Sequence, residues 1–191
     1  MKKIIAFAGS NSKLSINKQL VIHATDVLKS DFDTSAEIEV IDLNDYEMPI
    51  YSIDRQNEDG VHPLAQKFFD KITEADAIII SFAEYNGNYT SAYKNVFDWA
   101  SRIKMAVFQD KPVMHMSASI GPNGGANVLS IADKSAPFFK ADLKGSFSVG
   151  PFAEKFDQEQ GVLKDAELTA KLREGVEALV DAHYSKMKLA S

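Results

Sequence analysis

Residues 78–99, IIISFAEYNGNYTSAYKNVFDW, constrain the fold of this chain more than any other stretch. They continue an apolar run, Ala77-Ile78-Ile79-Ile80, of the kind that forms a strand buried on both faces of a sheet. The run breaks at Glu84-Tyr85-Asn86-Gly87-Asn88, where Asn-Gly is a strong turn signal. From Thr90 the spacing becomes helical, with Tyr93, Val96, Phe97 and Ala100 on one stripe. Strand, polar turn and helix in that order make half of a βαβ unit. Ligands of open parallel sheets bind where strands end and helices begin. An aromatic, a carboxylate, an amide and a glycine at that turn suit a flat polar ring.

The same alternation runs along the chain. A strand is predicted over Lys3–Ala8, followed by Gly9-Ser10-Asn11-Ser12-Lys13-Leu14-Ser15-Ile16-Asn17. Leu20, Val21, Ala24, Val27 and Leu28 then form a helical stripe that Ser15 or Asn17 would cap. Ala36–Leu43 is a second strand, Asn44–His62 reads as a long loop, and Pro63–Thr73 is a helix opened by its proline. After the central stretch, Lys111–Ser117 is the fourth strand. The polar, glycine-rich turn Ser117-Ala118-Ser119-Ile120-Gly121-Pro122-Asn123-Gly124-Gly125 leads into a helix over Ala126–Phe139, ended by Pro137. Ala141–Val149 is the fifth strand. Asp165–Lys188 is the last helix, with Leu168, Leu172, Val176, Leu179 and Val180 toward the sheet. Five strands alternating with helices imply a doubly wound parallel sheet with helices on both faces. Among such sheets the order 2-1-3-4-5, that of flavodoxin, opens a crevice between the ends of strands one and three. The turns after strands one, three and four are the three polar ones.

The chain has no repeat or linker, so its 191 residues are expected to form a single domain, 1–191. A net charge of −6 argues against a surface that tracks nucleic acid. Cysteine is absent, which excludes disulfides, thiolate metal sites and thiol catalysis and fits a reducing cytoplasm. His23, His62, His115 and His183 are too scattered for a metal site. The apolar run after Lys3 is too short for a secretory signal, and no segment has the roughly eighteen apolar residues of a membrane span. A cytoplasmic protein is expected.

The first turn suits an anion, because a helix N-terminus offers free N–H groups and partial positive charge. Ser10, Ser12, Ser15 and Asn17 add side-chain donors. Neither G-x-G-x-x-G nor G-x-x-x-x-G-K-[ST] is present, so dinucleotide and P-loop fingerprints both fail. A serine- and asparagine-rich loop with one glycine better matches a single terminal phosphate, as in FMN. On this turn alone, a serine-capped helix without a ligand is an equally good account.

Gly9-Ser10-x-x-x-x-Ser15-x-Asn17 resembles the phosphate loop of the NADPH-dependent FMN reductase family. Glu84-Tyr85-Asn86-Gly87 with Lys94-Asn95-x-x-Asp98-Trp99 is similar to that family's second signature. Asp42-Leu43 with Met48-Pro49-Ile50-Tyr51, and the loop Ser117–Gly125, match further segments, so the resemblance spans the first three quarters of the chain. The family includes flavin, quinone, azo-dye and chromate reductases. The resemblance implies a flavodoxin-like, FMN-dependent NAD(P)H oxidoreductase. Ser10, Ser12, Ser15, Ile16 and Asn17 would hold the phosphate. Glu84, Tyr85, Asn86 and Gly87 would lie along the isoalloxazine, and Ser117, Ala118, Ser119, Gly124 and Gly125 would flank the ring or ribityl chain. No side-chain acid or base is required, since the flavin carries the hydride chemistry. NADPH or NADH would be the donor, with no basic cluster to separate them, and the acceptor would be a small molecule.

Two positions depart from the family pattern: Ser12 stands where arginine is common, and Ala83 where proline precedes the glutamate. Family members are dimers or tetramers, and the aromatic helix Tyr89–Trp99 with the loop around Tyr51 is a candidate contact. Tyr93, Phe97 and Trp99 also suit the core, and Lys94 and Asp98 an i,i+4 ion pair. A flavodoxin-type electron carrier would share the fold, but the third loop lacks an aromatic between Ser117 and Gly125 to enclose a flavin. A binding protein that has lost the flavin is the other alternative, which Ser12 and Ala83 make conceivable.

Overall fold

In the computed structural model, which describes residues 3–190 and side chains as far as residue 183, the isoleucine run lies in the middle of a sheet. The chain begins with β1 (Lys3–Gly9) and α1 (Ile16–Val27), prolonged by a π-turn at Leu28–Phe32, and continues with β2 (Glu37–Ile41). A 3₁₀ turn (Leu43–Tyr46) and α2 (Ile53–Asp59) precede α3 (Pro63–Glu74) and β3 (Ala77–Tyr85). Next come β4 (Asn88–Tyr89), α4 (Ser91–Ile103), β5 (Lys111–Ala118), α5 (Ala126–Ser135) and β6 (Ala141–Val149). A short α6 (Phe152–Lys155) and the hairpin of β7 (Phe156–Asp157) and β8 (Val162–Leu163) lead to α7 (Ala166–Ala190).

The long strands pair in parallel in the order β2-β1-β3-β5-β6, with Phe7 opposite Ile80 and Ile80 opposite His115. This is the expected 2-1-3-4-5 order once the two-residue β4, which pairs antiparallel with the end of β3, is set aside. Successive side chains of β3 serve opposite layers. Ile78, Ile80 and Phe82 pack with the apolar faces of α3, α4 and α5, while Ala77 and Ile79 pack with α1 and α7. A strand buried on both faces gains from apolar residues at every position, which is why the run shows no alternation. Leu172, Val176 and Leu179 of α7 are buried, with Leu168 and Val180 partly buried against the same layer.

Two expectations need correction, and one stretch left unassigned in the sequence proves to be structured. The segment 44–62 is not all loop. Ser52 Oγ accepts from the Arg55 N–H at 3.2 Å to cap α2, which ends at Gly60 with φ 77°. None of the residues of α2 is buried, so there was no apolar stripe to reveal it. The helix after the third loop stops at Ser135 rather than Phe139: Ala136 keeps helical geometry, but Pro137 has no N–H to carry the hydrogen-bond ladder on. Residues 150–164 contain α6 and a hairpin. Their Phe152 and Phe156 stack at 4.6 Å and are buried in the α1/α7 layer.

Candidate functional site

The C-terminal ends of β1, β3 and β5 open into a cleft of about 320 Å³. One wall is the β1–α1 loop, through Ser10, Ser12, Leu14, Ser15, Ile16 and Asn17. Ala83, Glu84 and Tyr85 border it from β3, and Ala118, Ser119 and Ile120 from β5. The site therefore lies at the switch point that the topology creates.

The N-terminus of α1 gives the cleft its polar end. Ser15 Oγ accepts from the Lys18 N–H at 3.3 Å, and the Ser15 carbonyl accepts from the same group at 3.1 Å. The N–H groups of Ile16 and Asn17 precede that first bond, at the positive end of the helix dipole. Ser10 Oγ accepts from the Ser12 N–H at 3.1 Å, which folds the loop back toward the strand end. The Lys18 ammonium pairs with Asp42 at 2.7 Å and, with the Asn44 N–H, holds that carboxyl below its ordinary value.

Asn17 holds the site together. It is 2% exposed, and its Oδ1 accepts from Ser81 Oγ at 2.7 Å and from the Ala118 N–H at 2.8 Å. Its Nδ2 donates to the Ala118 carbonyl at 3.0 Å. One amide thus joins α1 to β3 and β5 through bonds internal to the chain. Thr90 adds a second tie: its hydroxyl donates to the Gly9 carbonyl at 2.8 Å and accepts from the Tyr93 N–H at 3.2 Å. A threonine just ahead of a helical stripe is a cap signal, and it went unused at the sequence level.

Glu84 borders the cleft, but its carboxylate is engaged at the start of α5. Oε2 accepts from the Val128 N–H at 2.9 Å and Oε1 from Asn127 Nδ2 at 3.2 Å. Negative charge is favourable there. Beyond Glu84 the strand turns through Asn86 (φ 53°) and Gly87 (φ 74°) into β4. Positive φ at both central residues is the type I′ hairpin that Asn-Gly favours.

Of the residues singled out in the sequence, Ser10, Ser12, Ser15, Ile16, Asn17, Glu84, Tyr85, Ala118 and Ser119 meet at the cleft. Asn86 and Gly87 form the hairpin tip outside its lining. Ser117 is fully buried, and its hydroxyl donates to the Gly124 carbonyl at 2.9 Å. Gly124 (φ 61°) lies so close to β6 that a Cβ there would stand 2.8 Å from the Val149 carbonyl carbon. Gly125 caps α5. The paired glycines therefore serve the packing of the loop on its neighbouring strand. Three lining residues were missed, Ala83 and two exposed aliphatics: Leu14 is 88% exposed and Ile120 is 89% exposed. Leu14 and Ile120 are aliphatic residues inside polar turns, which is the signal that would have found them. With Tyr85, they give the cleft an apolar rim.

The second signature has a structural role of its own. Asn95 Oδ1 accepts from the Tyr51 N–H at 2.9 Å, and its Nδ2 donates to the Met48 carbonyl at 2.9 Å. The Trp99 indole N–H donates to the Pro49 carbonyl at 2.8 Å, and its ring meets Tyr51 edge-on at 5.1 Å. Tyr93, Phe97 and Trp99 are buried within the chain. Lys94 and Asp98 pair at 2.7 Å. Among the described residues, no group of three metal-binding side chains gathers, and no helix is long and apolar enough to cross a membrane.

Comparison with known proteins places the chain in a family. A family model described as NADPH-dependent FMN reductase matches residues 2–156. The chain is 33% identical over 175 residues to an NAD(P)H:quinone oxidoreductase of Solanum tuberosum, covering 90% of this chain and 87% of that one. It is 26% identical over 165 residues to a quinone reductase of Escherichia coli K12, covering 85% of each. Among solved structures, the flavoenzyme NAD(P)H:(acceptor) oxidoreductase FerB of Paracoccus denitrificans superposes with a TM-score of 0.73 at 22% identity. That superposition covers 97% of this chain and 98% of FerB, and it shows a shared fold.

Proposed function

The chain belongs to the NADPH-dependent FMN reductase family, and from that premise we propose that its cleft holds FMN and that it passes reducing equivalents from NAD(P)H to a quinone or similar small acceptor. The observation that carries this reading is the pairing, in one cleft, of a free helix N-terminus with an exposed apolar rim. A phosphate suits the first; a flat ring would cover Leu14, Tyr85 and Ile120 and so account for their exposure.

In this reading the N–H groups of Ile16 and Asn17 and the hydroxyls of Ser10, Ser12 and Ser15 bind the phosphate. Ala83–Tyr85 and Ala118–Ile120 bracket the ring. Bound there, FMN would supply the hydride chemistry that links a nicotinamide to the acceptor. The chain's own residues orient and support. Asn17 keeps the ends of β3 and β5 at a fixed separation, and Glu84 fixes the hairpin against α5. Ser12 and Ala83 leave the backbone donors in place, so the anion site does not depend on a guanidinium.

We further infer a single domain and a homodimer or homotetramer. Ile50 and Ile53, 77% and 56% exposed beside the Tyr51–Trp99 contact, are the better candidates for touching a second copy. The absence of cysteine supports a reducing cytoplasm as its compartment.

Absorbance of the purified protein titrated with FMN, then with anaerobic NADPH or NADH, tests the reading. A bound flavin band that either nucleotide bleaches, and that a quinone restores with turnover, is the expected result. A bound flavin that neither nucleotide reduces would make the protein an electron carrier. Absence of flavin binding would overturn the cofactor assignment.

A further inference from the structure

The loop between β1 and α1 forms one wall of the cleft, and its middle, residues 11–14, is exposed. Inside the loop the Ser12 N–H donates to Ser10 Oγ at 3.1 Å and the Ser15 N–H to the Ser12 carbonyl at 3.3 Å. One tie reaches it from outside: Asn44 Nδ2 donates to the Asn11 carbonyl at 3.1 Å. Among the described residues, no other element bonds to positions 11–14.

Asn44 has a fixed base. It belongs to the 3₁₀ turn after β2, where Leu43 and Tyr46 are buried and Tyr46 meets Phe68 edge-on at 5.4 Å. The turn is therefore anchored in the core although Asn44 itself is exposed. Asp42 sets the direction of the amide. Its Oδ1 accepts from the Asn44 N–H at 3.0 Å and from Asn44 Nδ2 at 2.7 Å, while its Oδ2 accepts from Lys18 Nζ at 2.7 Å. A carboxylate and a carbonyl can only accept, so both Nδ2 hydrogens point at them and the flipped amide is excluded. Lys18 lies in the first turn of α1, whose N-terminus is the polar end of the cleft. The chain of contacts Lys18–Asp42–Asn44–Asn11 thus fastens the helix start and the middle of the loop to one point at the end of β2.

Neither Asp42 nor Asn44 lines the cleft, so an effect on a bound group passes through the loop. We propose that Asn44, oriented by Asp42, is a positioning residue for the phosphate of the flavin, holding the β1–α1 loop in its binding shape before the ligand arrives. This rests on the assignment of the cleft to FMN. A loop ordered in advance loses less conformational entropy on binding. That saving falls mainly on the phosphate, which the loop hydroxyls and the α1 N–H groups hold, rather than on the ring between residues 83–85 and 118–120.

Riboflavin, which has the ring and ribityl chain without the phosphate, is the comparison. Dissociation constants of both flavins are measured by fluorescence quenching on the FMN-free protein, and the parent should prefer FMN. Asn44→Ala should raise the FMN constant roughly three- to tenfold, the scale of one net hydrogen bond, and leave riboflavin nearly unchanged. Asn44→Leu, which keeps the volume without the donor, should do the same and decides the matter if Asn44→Ala does not fold. Backbone ¹⁵N order parameters of residues 11–14 in the FMN-free protein should fall in either variant, while those of α1 beyond Lys18 hold. An FMN-to-riboflavin ratio equal to the parent's, a loss shared equally by both flavins, or unchanged order parameters would overturn the proposal alone. A parent that shows no preference for FMN, or binds neither flavin, would overturn the assignment of the cleft and the proposal with it.

Discussion

Replacing Asn17 by alanine should destabilise the protein far more than replacing Ser15, although both stand in the first turn of α1. Asn17→Ala leaves the Ser81 hydroxyl, the Ala118 N–H and the Ala118 carbonyl without the partners they now have at 2.7, 2.8 and 3.0 Å. Each buried group left unsatisfied costs roughly 1–3 kcal/mol. The full sum is not expected, because the vacated volume adjoins the cleft and water can enter it. A loss of about 2–4 kcal/mol follows from those terms. Ser15→Ala removes one cap bond of 3.3 Å, worth about 1 kcal/mol. Urea unfolding of the FMN-free proteins, followed by far-ultraviolet circular dichroism, measures both. Asn17→Asp separates the contributions: it retains an acceptor for Ser81 and Ala118, but sets a carboxylate against the Ala118 carbonyl and brings negative charge to the anion site. It should weaken FMN binding more than Ser15→Ala does. If Asn17→Ala changes the unfolding free energy by less than that of Ser15→Ala, with similar slopes in urea, the three-way tie is not what holds the strand ends.

Glu84→Ala should lower stability by about 1–2 kcal/mol, or roughly 2–8 °C in Tm, by freeing the start of α5, whereas Glu84→Gln keeps an acceptor for Val128 and should lose less; equal losses in a thermal melt would contradict this. His23 is buried against Phe156 and accepts from the Leu163 N–H at 3.4 Å, and burial depresses its pKa below 6.5. The unfolded chain therefore takes up the proton first as pH falls, so this contribution is complete above about pH 6.5 and is lost below it, toward the folded-state value. His23→Gln should flatten the fall in unfolding free energy between about pH 7.5 and 5.5, and an unchanged slope would exclude His23 as its source. Ile50→Asp should shift the sedimenting species toward monomer while leaving far-ultraviolet dichroism unchanged, and an unaltered sedimentation coefficient would remove this loop from the interface.

Much of the architecture was legible in the residues themselves. The uninterrupted isoleucines of β3 require two covering layers, and the alternation of strand and helix along the chain supplies them in the observed order. The positions of the three polar turns followed, because parallel strands bring their C-terminal ends to one edge. Local chemistry also read correctly at Asn86-Gly87, whose hairpin needs only two adjacent residues able to adopt positive φ. The exposed helix α2 was missed because it buries nothing and so leaves no periodic mark.

The division of labour inside the turns was decided by tertiary structure. The side-chain amide of Asn17 is spent on Ser81 and Ala118, the latter 101 residues away, which leaves its backbone N–H for the proposed phosphate. Glu84 borders the cleft, while its carboxylate serves the start of α5, 44 residues on. At Gly124 the space a side chain would need is taken by the backbone of β6. Sequence specifies which groups can donate, accept or turn sharply, since those are properties of single residues and near neighbours. Which partner each group finds depends on strand register and layer packing, and these bring together residues whose separation along the chain carries no local signal.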